Sequence, residues 1–185
     1  MKLKKLIGSF ILIFLLIILL NIKAIAKMFF PLYFSNYIAK YSNEYNLSPY
    51  LVAAVIKTES NFDTGAVSGK NAYGLMQITD STGEWAAKEM KLDNYSTDKL
   101  KEPEYNIRMG CWYIDNLKKE FNNNVDLVLA AYNGGRGNVQ KWLSESEHSK
   151  DGKNLHYIPF KETDKYIKRV KVNYNIYKFL YTNTF

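Results

Sequence analysis

The sequence predicts a mainly α-helical fold for most of this chain of 185 residues. Apolar residues recur at spacings of three and four, which places them on one face of an α-helix. Residues that commonly begin and end helices flank these stretches, and no stretch shows clear alternation of apolar and polar residues. A small β ribbon near Ala66–Ile78 is the one exception that we expect.

Several of the predicted helices have recognisable signals at their ends. Ser48 and Pro49 predict a helix start, with serine as the N-cap and proline in the first turn. Pro103 opens a later helix in the same way. Asn133-Gly-Gly135 predicts a helix end, because glycine readily adopts the left-handed conformation of a C-cap. The apolar stripes are Phe34, Tyr37, Ile38, Tyr41 and Tyr45; Ile107, Cys111, Ile114, Leu117 and Phe121; and Tyr166, Ile167, Val170, Tyr174 and Tyr177.

The region after the helix that starts at Ser48 and Pro49 is expected to contain a loop and then a capped helix. Asp63 to Asn71 is rich in glycine and in short polar residues, which predicts a loop. Ser81-Thr-Gly-Glu84 has the spacing of a capping box, in which serine and glutamate satisfy two free backbone N–H groups. We therefore predict that the next helix is capped at Ser81, ahead of Trp85.

Residues 1–28 are predicted to lie outside the folded domain of residues 29–185. The stretch from Leu6 to Ile22 is almost wholly apolar, and it follows three lysines within the first five residues. A transmembrane helix needs about 17–25 apolar residues, and the positive charge before the stretch would keep that end in the cytoplasm. The sequence therefore predicts a single-pass anchor in the cell membrane, with the domain on the extracytoplasmic side.

A cleaved signal peptide is the alternative for the same segment. Ala24-Ile-Ala26 has the small-x-small pattern of a cleavage site after a short apolar stretch. Asn21 and Lys23 interrupt the approach to this site, so the sequence favours the uncleaved anchor. Either alternative delivers the domain outside the cytoplasm, as an anchored or as a secreted protein.

Composition and charge argue against several classes of protein. The formal net charge is +7, but the chain has no run of lysine and arginine interleaved with aromatic residues, so nucleic-acid binding is not expected. The single cysteine, Cys111, allows no intramolecular disulfide. His148 and His156 have no further ligand-type residues arranged around them, and we expect neither a metal nor a cofactor. The sequence leaves the oligomeric state open.

Glu59 is the most informative residue of the chain. It follows Val52, Val55 and Ile56 by seven, four and three positions, so it falls on the apolar face of its helix. Burial disfavours the charged form of a carboxyl group and raises its pKa. A carboxyl group that stays protonated near neutral pH can act as a general acid. The alternative is an ordinary glutamate at a helix end, with its carboxylate in water.

Three further segments combine amide, hydroxyl and carboxyl groups at loops or helix ends. Each has an ordinary structural explanation: a core methionine, a helix C-cap, and a helix N-terminus that complements the helix dipole. Each also offers groups that could recognise a sugar, since an amide both donates and accepts hydrogen bonds. The segments are Gly74-Leu-Met-Gln77, Ala131-Tyr-Asn-Gly-Gly135 and Glu162-Thr-Asp-Lys-Tyr166.

In this order and spacing, these segments resemble the soluble lytic transglycosylases, a family of peptidoglycan-cleaving enzymes. The resemblance extends over roughly residues 33–181 and implies a lysozyme-like helical domain of the goose-type lysozyme and transglycosylase class. The matching segments are Glu59-Ser-Asn-Phe62, Gly74-Leu-Met-Gln-Ile78, Ala131-Tyr-Asn-Gly-Gly135 with Val139 and Trp142, and Ile158-Pro-Phe-Lys-Glu-Thr-Asp-Lys-Tyr166.

The resemblance implies a role for each matching residue. Glu59 would be the single catalytic acid/base, and Tyr132 would lie close to it. Ser68 would contact the acetamido group of the reacting sugar. The residues implied to hold the glycan or to support the cleft are Met76, Gln77, Asn133 and Glu162. Two positions depart from the family pattern, with Asp80 where proline is common and Gly134 where alanine is common, and both are peripheral to the implied chemistry.

The implied reaction cleaves the β-1,4 bond between N-acetylmuramic acid and N-acetylglucosamine and forms a 1,6-anhydromuramoyl product. Ordinary glycosidases use two carboxylates, but Asp63, Asp80 and Glu84 lie in segments that do not indicate burial beside Glu59. A lysozyme-type muramidase, which is a hydrolase, is the alternative on the same fold. A non-catalytic cell-wall binding module is the second alternative. Peptidoglycan glycan strands are the expected partner in every case.

Overall fold

The computed structural model describes residues 2–185, and the side chains of all of these except residues 2–5 and 9. The fold is mainly helical, as the sequence predicts. The helices are α1 (Lys2–Leu20), α2 (Ile22–Phe29), α3 (Ser35–Glu44), α4 (Pro49–Glu59), α5 (Asp80–Glu89), α6 (Pro103–Glu120), α7 (Val125–Gly134), α8 (Arg136–Ser144) and α9 (Lys161–Leu180). A 3₁₀ helix spans Thr97–Lys101, and the strands are β1 (Ala72–Tyr73) and β2 (Ile78–Thr79).

Helix α4 forms the centre of the folded domain. Its residues 52–56 are completely buried, and it packs along α9 and against α3. Helix α6 packs against α3, α5 and α7 and closes the other side of the same core. The apolar stripes predicted from the sequence supply most of these contacts, because burying one face of each helix removes its apolar surface from water.

The predicted β ribbon is present between α4 and α5. Strands β1 and β2 are antiparallel, with Ala72 opposite Thr79 and Tyr73 opposite Ile78. The turn between them begins at Gly74, whose φ of +71° favours glycine. A Cβ atom at Gly74 would lie 2.3 Å from the carbonyl oxygen of Leu100, so the turn fits against the 3₁₀ helix only without a side chain there.

The start of α5 differs from the predicted capping box. Thr79 is the N-cap, and its Oγ1 accepts a hydrogen bond from the backbone N–H of Thr82 at 3.3 Å. The predicted N-cap, Ser81, is already inside the helix, so the prediction was wrong by two residues. The ribbon explains the shift, because pairing of β2 carries the chain as far as Thr79 before the helix can begin.

The N-terminal segment contains two helices rather than one. Helices α1 and α2 meet at Asn21 with a bend of 61° between Leu6–Leu20 and Ile22–Phe29. No single helix among the described residues is both long and apolar enough to cross a membrane, although this bent pair satisfies both criteria when taken together. The single-pass anchor stays a prediction.

We predict that Gly74→Ala destabilises the fold by about 2–4 kcal/mol, because it combines a left-handed backbone with an overlap against backbone. Chemical denaturation of the full chain in detergent would measure the change in the free energy of unfolding. Gly137→Ala is the matched control. Gly137 has no heavy atom within 4 Å of an added Cβ, and alanine in α8 is expected to stabilise the helix by up to about 1 kcal/mol. Equal stability of both variants would contradict the prediction.

Candidate active site

Glu59 is the last residue of α4, and the chain reverses direction directly after it. Asn61 and Phe62 have φ values of +54° and +67°, an unusual pair of left-handed residues without glycine. The Ser60 hydroxyl donates a hydrogen bond to the carbonyl of Leu75 at 2.8 Å, and the Phe62 ring is buried. These contacts fasten the end of α4 to the ribbon turn and fix the position of the glutamate.

The carboxyl group of Glu59 is held in conditions that favour its protonated form. The Glu59 side chain is half-buried. Burial raises the pKa of its carboxyl group to about 7, and the negative charge of Glu162 raises this pKa further. Tyr166 and Arg169 act in the opposite direction. The prediction of a raised pKa from the apolar face of the helix is therefore confirmed. The role of Glu59 in catalysis stays a prediction.

Two tyrosine hydroxyls accompany this carboxyl group. The Tyr132 hydroxyl donates to the carbonyl oxygen of Met76 at 2.8 Å. The Tyr166 hydroxyl is buried beside the Glu59 carboxyl group and lowers the pKa of that group by hydrogen bonding. Within the described part of the chain it reaches no partner in regular hydrogen-bond geometry. Burial and the nearby Glu59 charge raise the pKa of both hydroxyls well above the usual value. Glu59 therefore has two neutral, proton-bearing neighbours rather than a second buried acid.

A cleft of about 580 Å³ opens beside these residues. It brings together four residues that the sequence predicts for the site, namely Gln77, Tyr132, Asn133 and Glu162. Glu59 does not line this cleft itself. Its carboxyl group is close enough for electrostatic effects, because the charge of Glu162 raises the pKa of Glu59 and the charge of Glu59 raises the pKa of Tyr132. The remaining lining residues are Lys70, Ile78, Thr79, Thr82, Tyr113, Gly134, Gly135, Asn138, Phe160, Lys161 and Thr163.

Asn133 is oriented by the start of α9. The buried Thr163 hydroxyl donates to Asn133 Oδ1 at 2.8 Å, which leaves the amide N–H groups of Asn133 available to the cleft. A Cβ atom at Gly134 would lie 2.9 Å from Thr163 Oγ1 and 3.3 Å from the Trp142 ring. Glycine at this position therefore gives Thr163 room to approach Asn133.

Gln77 and Ser68 make some of their side-chain hydrogen bonds to the backbone of the loop itself. Gln77 Nε2 donates to the carbonyls of Ala66 and Gly74, each at 3.1 Å, so its amide oxygen is the group that can face a ligand. Ser68 Oγ accepts from the backbone N–H groups of residues 70 and 72 at 3.2 and 3.1 Å. Its hydroxyl proton is left to donate, although Ser68 is not among the residues that line the cleft.

Met76 does not occupy the position that the resemblance implies. Its side chain is completely buried and lies against Gly110 of α6, where an added Cβ would come within 2.3 Å of its sulfur. The side chain therefore cannot hold a glycan in this structure. The prediction that the Met76 side chain lines the cleft is wrong. Met76 contributes instead through its backbone carbonyl, which accepts the Tyr132 hydrogen bond.

Asn106 is a supporting residue that the sequence analysis missed. It is completely buried in α6, and its side chain makes all of its hydrogen bonds to the backbone of the ribbon and of the adjoining 3₁₀ helix. Its Oδ1 accepts from Met76 N–H at 2.7 Å, and its Nδ2 donates to the carbonyls of Tyr73 and Leu100 at 2.8 and 2.6 Å. An asparagine beside the apolar stripe of α6 was the available signal, because a buried amide must find partners.

The other carboxylates considered in the sequence lie elsewhere. Asp63 accepts from the backbone N–H of Gly65, Asp80 accepts from the hydroxyls of Tyr95 and Thr97, and Glu84 is exposed. Glu162 is the carboxylate that acts on Glu59, and it is exposed and 3.8 Å from Lys70 Nζ. No group of three or more histidine, cysteine, aspartate or glutamate residues that could hold a metal ion occurs in the described region.

Comparison with known proteins places this site in a family. The transglycosylase SLT domain family matches residues 36–155. The soluble lytic murein transglycosylase of Salmonella typhimurium is 35% identical over 127 residues, which cover 68% of this chain and 20% of that protein. The membrane-bound lytic murein transglycosylase C of Serratia proteamaculans is 34% identical over 110 residues, which cover 55% of this chain and 31% of that protein.

Solved structures give the same result. An inactive variant of the lytic transglycosylase Slt from Pseudomonas aeruginosa superposes with a TM-score of 0.73 at 30% identity, covering 82% of this chain and 25% of that one. The 70-kDa soluble lytic transglycosylase in complex with bulgecin A has the same TM-score and identity and covers 81% of this chain. The chain thus spans about a fifth to a third of the length of the proteins that it resembles.

We predict that Asn106→Ala destabilises the domain by about 2–4 kcal/mol, because it leaves one N–H and two carbonyl groups unsatisfied in the interior. Thermal and chemical denaturation of the full chain would measure this change. Asn36→Ala, an exposed asparagine in α3, is the control and is expected to change the free energy of unfolding by less than about 0.5 kcal/mol. A loss for Asn106→Ala as small as that of the control would show that the turn does not depend on this amide.

Proposed function

The chain belongs to the transglycosylase SLT domain family, and we propose that it is a peptidoglycan lytic transglycosylase. Its substrate would be the β-1,4 bond between N-acetylmuramic acid and N-acetylglucosamine, and its product a 1,6-anhydromuramoyl end. The observation that carries the proposal is the half-buried Glu59 side chain at the end of α4, next to the cleft, because burial raises the pKa of its carboxyl group to about 7. A carboxyl group with that pKa can deliver and recover a proton near neutral pH, as a one-carboxylate mechanism requires.

In the first step, protonated Glu59 donates its proton to the glycosidic oxygen, and the bond from that oxygen to C1 of the muramoyl residue breaks. The 2-acetamido group of the same sugar stabilises the positive charge that develops at C1. Glu59 is then a carboxylate and removes the proton of the C6 hydroxyl, whose oxygen bonds to C1. The proton returns to Glu59, the anhydro ring is closed, and no water is consumed.

The neighbouring residues have supporting roles in this proposal. Tyr166 stays neutral beside Glu59, so its hydroxyl can donate a hydrogen bond to the carboxylate without adding charge. The Tyr132 hydroxyl already donates its proton to the Met76 carbonyl, so it can only accept a hydrogen bond from the sugar. The free amide groups of Gln77 and Asn133 would bind hydroxyl and acetamido groups in the cleft. The Ser68 hydroxyl would donate its free proton in a hydrogen bond to the acetamido group of the sugar.

Hydrolysis is the second candidate, and the position of Glu162 gives it a specific basis. A muramidase would need a second carboxylate to direct a water molecule at C1. Glu162 lines the cleft and interacts with Glu59, whereas the carboxylates of Asp63, Asp80 and Glu84 do not. Glu162 is exposed and near Lys70, which favours a role in binding over one as a base.

The proposed function also requires the domain to meet the cell wall. We propose that residues 1–28 keep the chain at the membrane and that residues 29–185 form the catalytic unit on the extracytoplasmic side, where peptidoglycan lies. Helices α1 and α2 support this arrangement by their exposed apolar residues. Secretion after cleavage near Ala26 is the alternative, and intact mass measurement of the protein purified from membranes distinguishes the two.

We predict that Glu59→Gln abolishes the release of fragments ending in 1,6-anhydromuramic acid from purified peptidoglycan, as followed by mass spectrometry. The glutamine keeps the shape of the side chain but has no acidic proton that it can transfer to the glycosidic oxygen. Because ionisation of Glu59 is penalised in the folded state, the variant is expected to be at least as stable as the parent chain at pH 8. Glu84→Gln, which neutralises an exposed carboxylate of α5, should leave the release unchanged.

Other outcomes of this experiment have clear meanings. Anhydro fragments from the Glu59→Gln variant would show that another group supplies the proton. Fragments with ordinary reducing ends from the parent chain would show that water enters the reaction, and Glu162→Gln would then be expected to abolish hydrolysis. Intact peptidoglycan after incubation with the parent chain would support the non-catalytic wall-binding module.

The pH dependence of kcat/KM is expected to follow the protonated form of Glu59, so activity should fall as the pH rises through about 7. Removing the charges near Glu59 should move this falling limb of the pH profile, in opposite directions for the two signs of charge. Glu162→Gln removes a charge that raises the pKa of Glu59, so the limb should move to lower pH, and Arg169→Gln should move it to higher pH. Asp164→Asn, beside Lys168 on the same helix, is the control that should leave the limb in place. Shifts of both charge variants in one direction would contradict the assignment.

A further inference from the structure

The apolar side of α2 faces away from the folded domain. Lys23 and Lys27 lie over the rings of Phe179 and Tyr181, with the ammonium nitrogens 4.6 and 4.8 Å from the ring centroids. The lysines of this helix therefore contact the domain, whereas a helix on the surface of a water-soluble domain has the reverse orientation. The apolar residues of α2 that are exposed instead are Ile22, Ile25, Met28 and Phe29.

This exposed apolar surface is large and continuous with α1. Met28 and Phe29 are 79% and 67% exposed, and the described apolar residues of Leu6–Leu20 are exposed as well. An apolar helix that leads at an angle into a short amphipathic one has the geometry of a segment that enters a bilayer and then lies along its surface. The 61° bend at Asn21 provides that change of direction.

The charges around this surface fit anionic lipid. Lys23, Lys27 and Lys178 are exposed, and the described residues of α2 include no acidic side chain. The ammonium groups of Lys23 and Lys27 lie between α2 and the domain, so they are one helix diameter, or about 10 Å, from the apolar side of α2. Each such lysine near an anionic bilayer is attracted to it.

The chain after α2 is fastened to the domain instead of forming a free linker. Three side chains, one from α4, one from α9 and one from the residue that follows α9, donate hydrogen bonds to three successive backbone carbonyls. We name this set the 29–31 clamp. Its bonds are from Lys57 Nζ to Phe29, from Tyr181 Oη to Phe30 at 2.8 Å, and from Tyr177 Oη to Pro31 at 2.9 Å.

The clamp has further support on both sides. The Phe30 ring packs edge-on against the Tyr177 ring, with 6.1 Å between their centroids. Lys57 also binds the side chain of Asn61, in the turn that follows Glu59. The N-terminal segment is thus tied directly to the helix that carries the candidate acid.

We propose that α2 lies in the headgroup region of a bilayer that contains anionic lipid, with its apolar side buried in the membrane, and that the 29–31 clamp holds the domain rigidly against this surface. The domain would then have one orientation relative to the membrane, and it would not move on a flexible tether.

The length of α9 limits the distance between the cleft and α2. Glu162 lies beside the cleft, and Leu180 lies near the clamp at the other end of the helix. At 1.5 Å per residue these positions are about 27 Å apart, so the cleft is held within about that distance of α2. This consequence alone rests on the proposed function: the glycan strands within reach would be those nearest the membrane.

Fluorescence quenching in vesicles tests the contact with lipid. The full chain would be labelled with an environment-sensitive fluorophore at Met28→Cys, and the native Cys111 is completely buried and protected from the label. In vesicles of phosphatidylethanolamine and phosphatidylglycerol, we expect strong quenching by lipids that carry a nitroxide near the headgroup. The same label at Val125→Cys, an exposed apolar position on α7, should not be quenched.

Spin–spin distances in the same vesicles test the rigid clamp. Labels at Met28→Cys and Lys165→Cys should give one narrow distance distribution. The double variant Tyr177→Phe/Tyr181→Phe removes two clamp hydroxyls and should broaden it, whereas Tyr174→Phe, on the same helix and outside the clamp, should not. Circular dichroism would establish that each variant remains folded.

Three results would overturn the proposal. A Met28 label that is quenched no more than the Val125 label would place α2 in water. A broad distance distribution in the parent chain would mean a flexible connection. A mature chain that begins at Lys27 would lack most of α2. None of these results depends on enzymatic activity, so each is distinguishable from failure of the transglycosylase assignment.

Discussion

The cost of ionising a carboxyl group at the buried end of α4 is the constraint around which the site is arranged. Glu59 could avoid this cost only by reaching water or by gaining a closely paired cation. Partial burial of the side chain limits the first, and Arg169 and Glu162 act on the carboxyl group in opposite directions, which limits the second. The group therefore titrates near neutral pH, where it can both give and take a proton.

The surroundings of Glu59 depend on a turn that has little regular structure of its own. Two residues in each strand could not hold the segment 74–77, so its backbone groups are satisfied from outside. Asn106 binds the turn from α6, and the Met76 carbonyl in turn receives the Tyr132 hydroxyl. Glycine at position 74 permits this close approach. A stable core thus positions the cleft residues through a few buried polar contacts.

The sequence predicts those features that depend on local pattern and on family motifs. The apolar stripes and caps predict α4, α6, α7 and α9, and the motifs predict that Gln77, Tyr132, Asn133 and Glu162 lie together. Contacts between distant segments were not predictable in this way. The burial of Met76 depends on the space beside Gly110. The position of the Tyr166 hydroxyl beside Glu59 depends on the packing of α9 along α4. The bend between α1 and α2 likewise has no clear periodic signal.

A direct titration of Glu59 tests the central claim. Carbon-13 NMR of the side-chain carboxyl groups would follow each glutamate with pH, and the Glu59→Gln variant would identify the resonance by its loss. The account predicts a midpoint of about 7 for Glu59 in the folded chain. A midpoint near the ordinary value of 4.5 would mean that the carboxyl group is ionised at neutral pH, and the proposed role as proton donor would be contradicted.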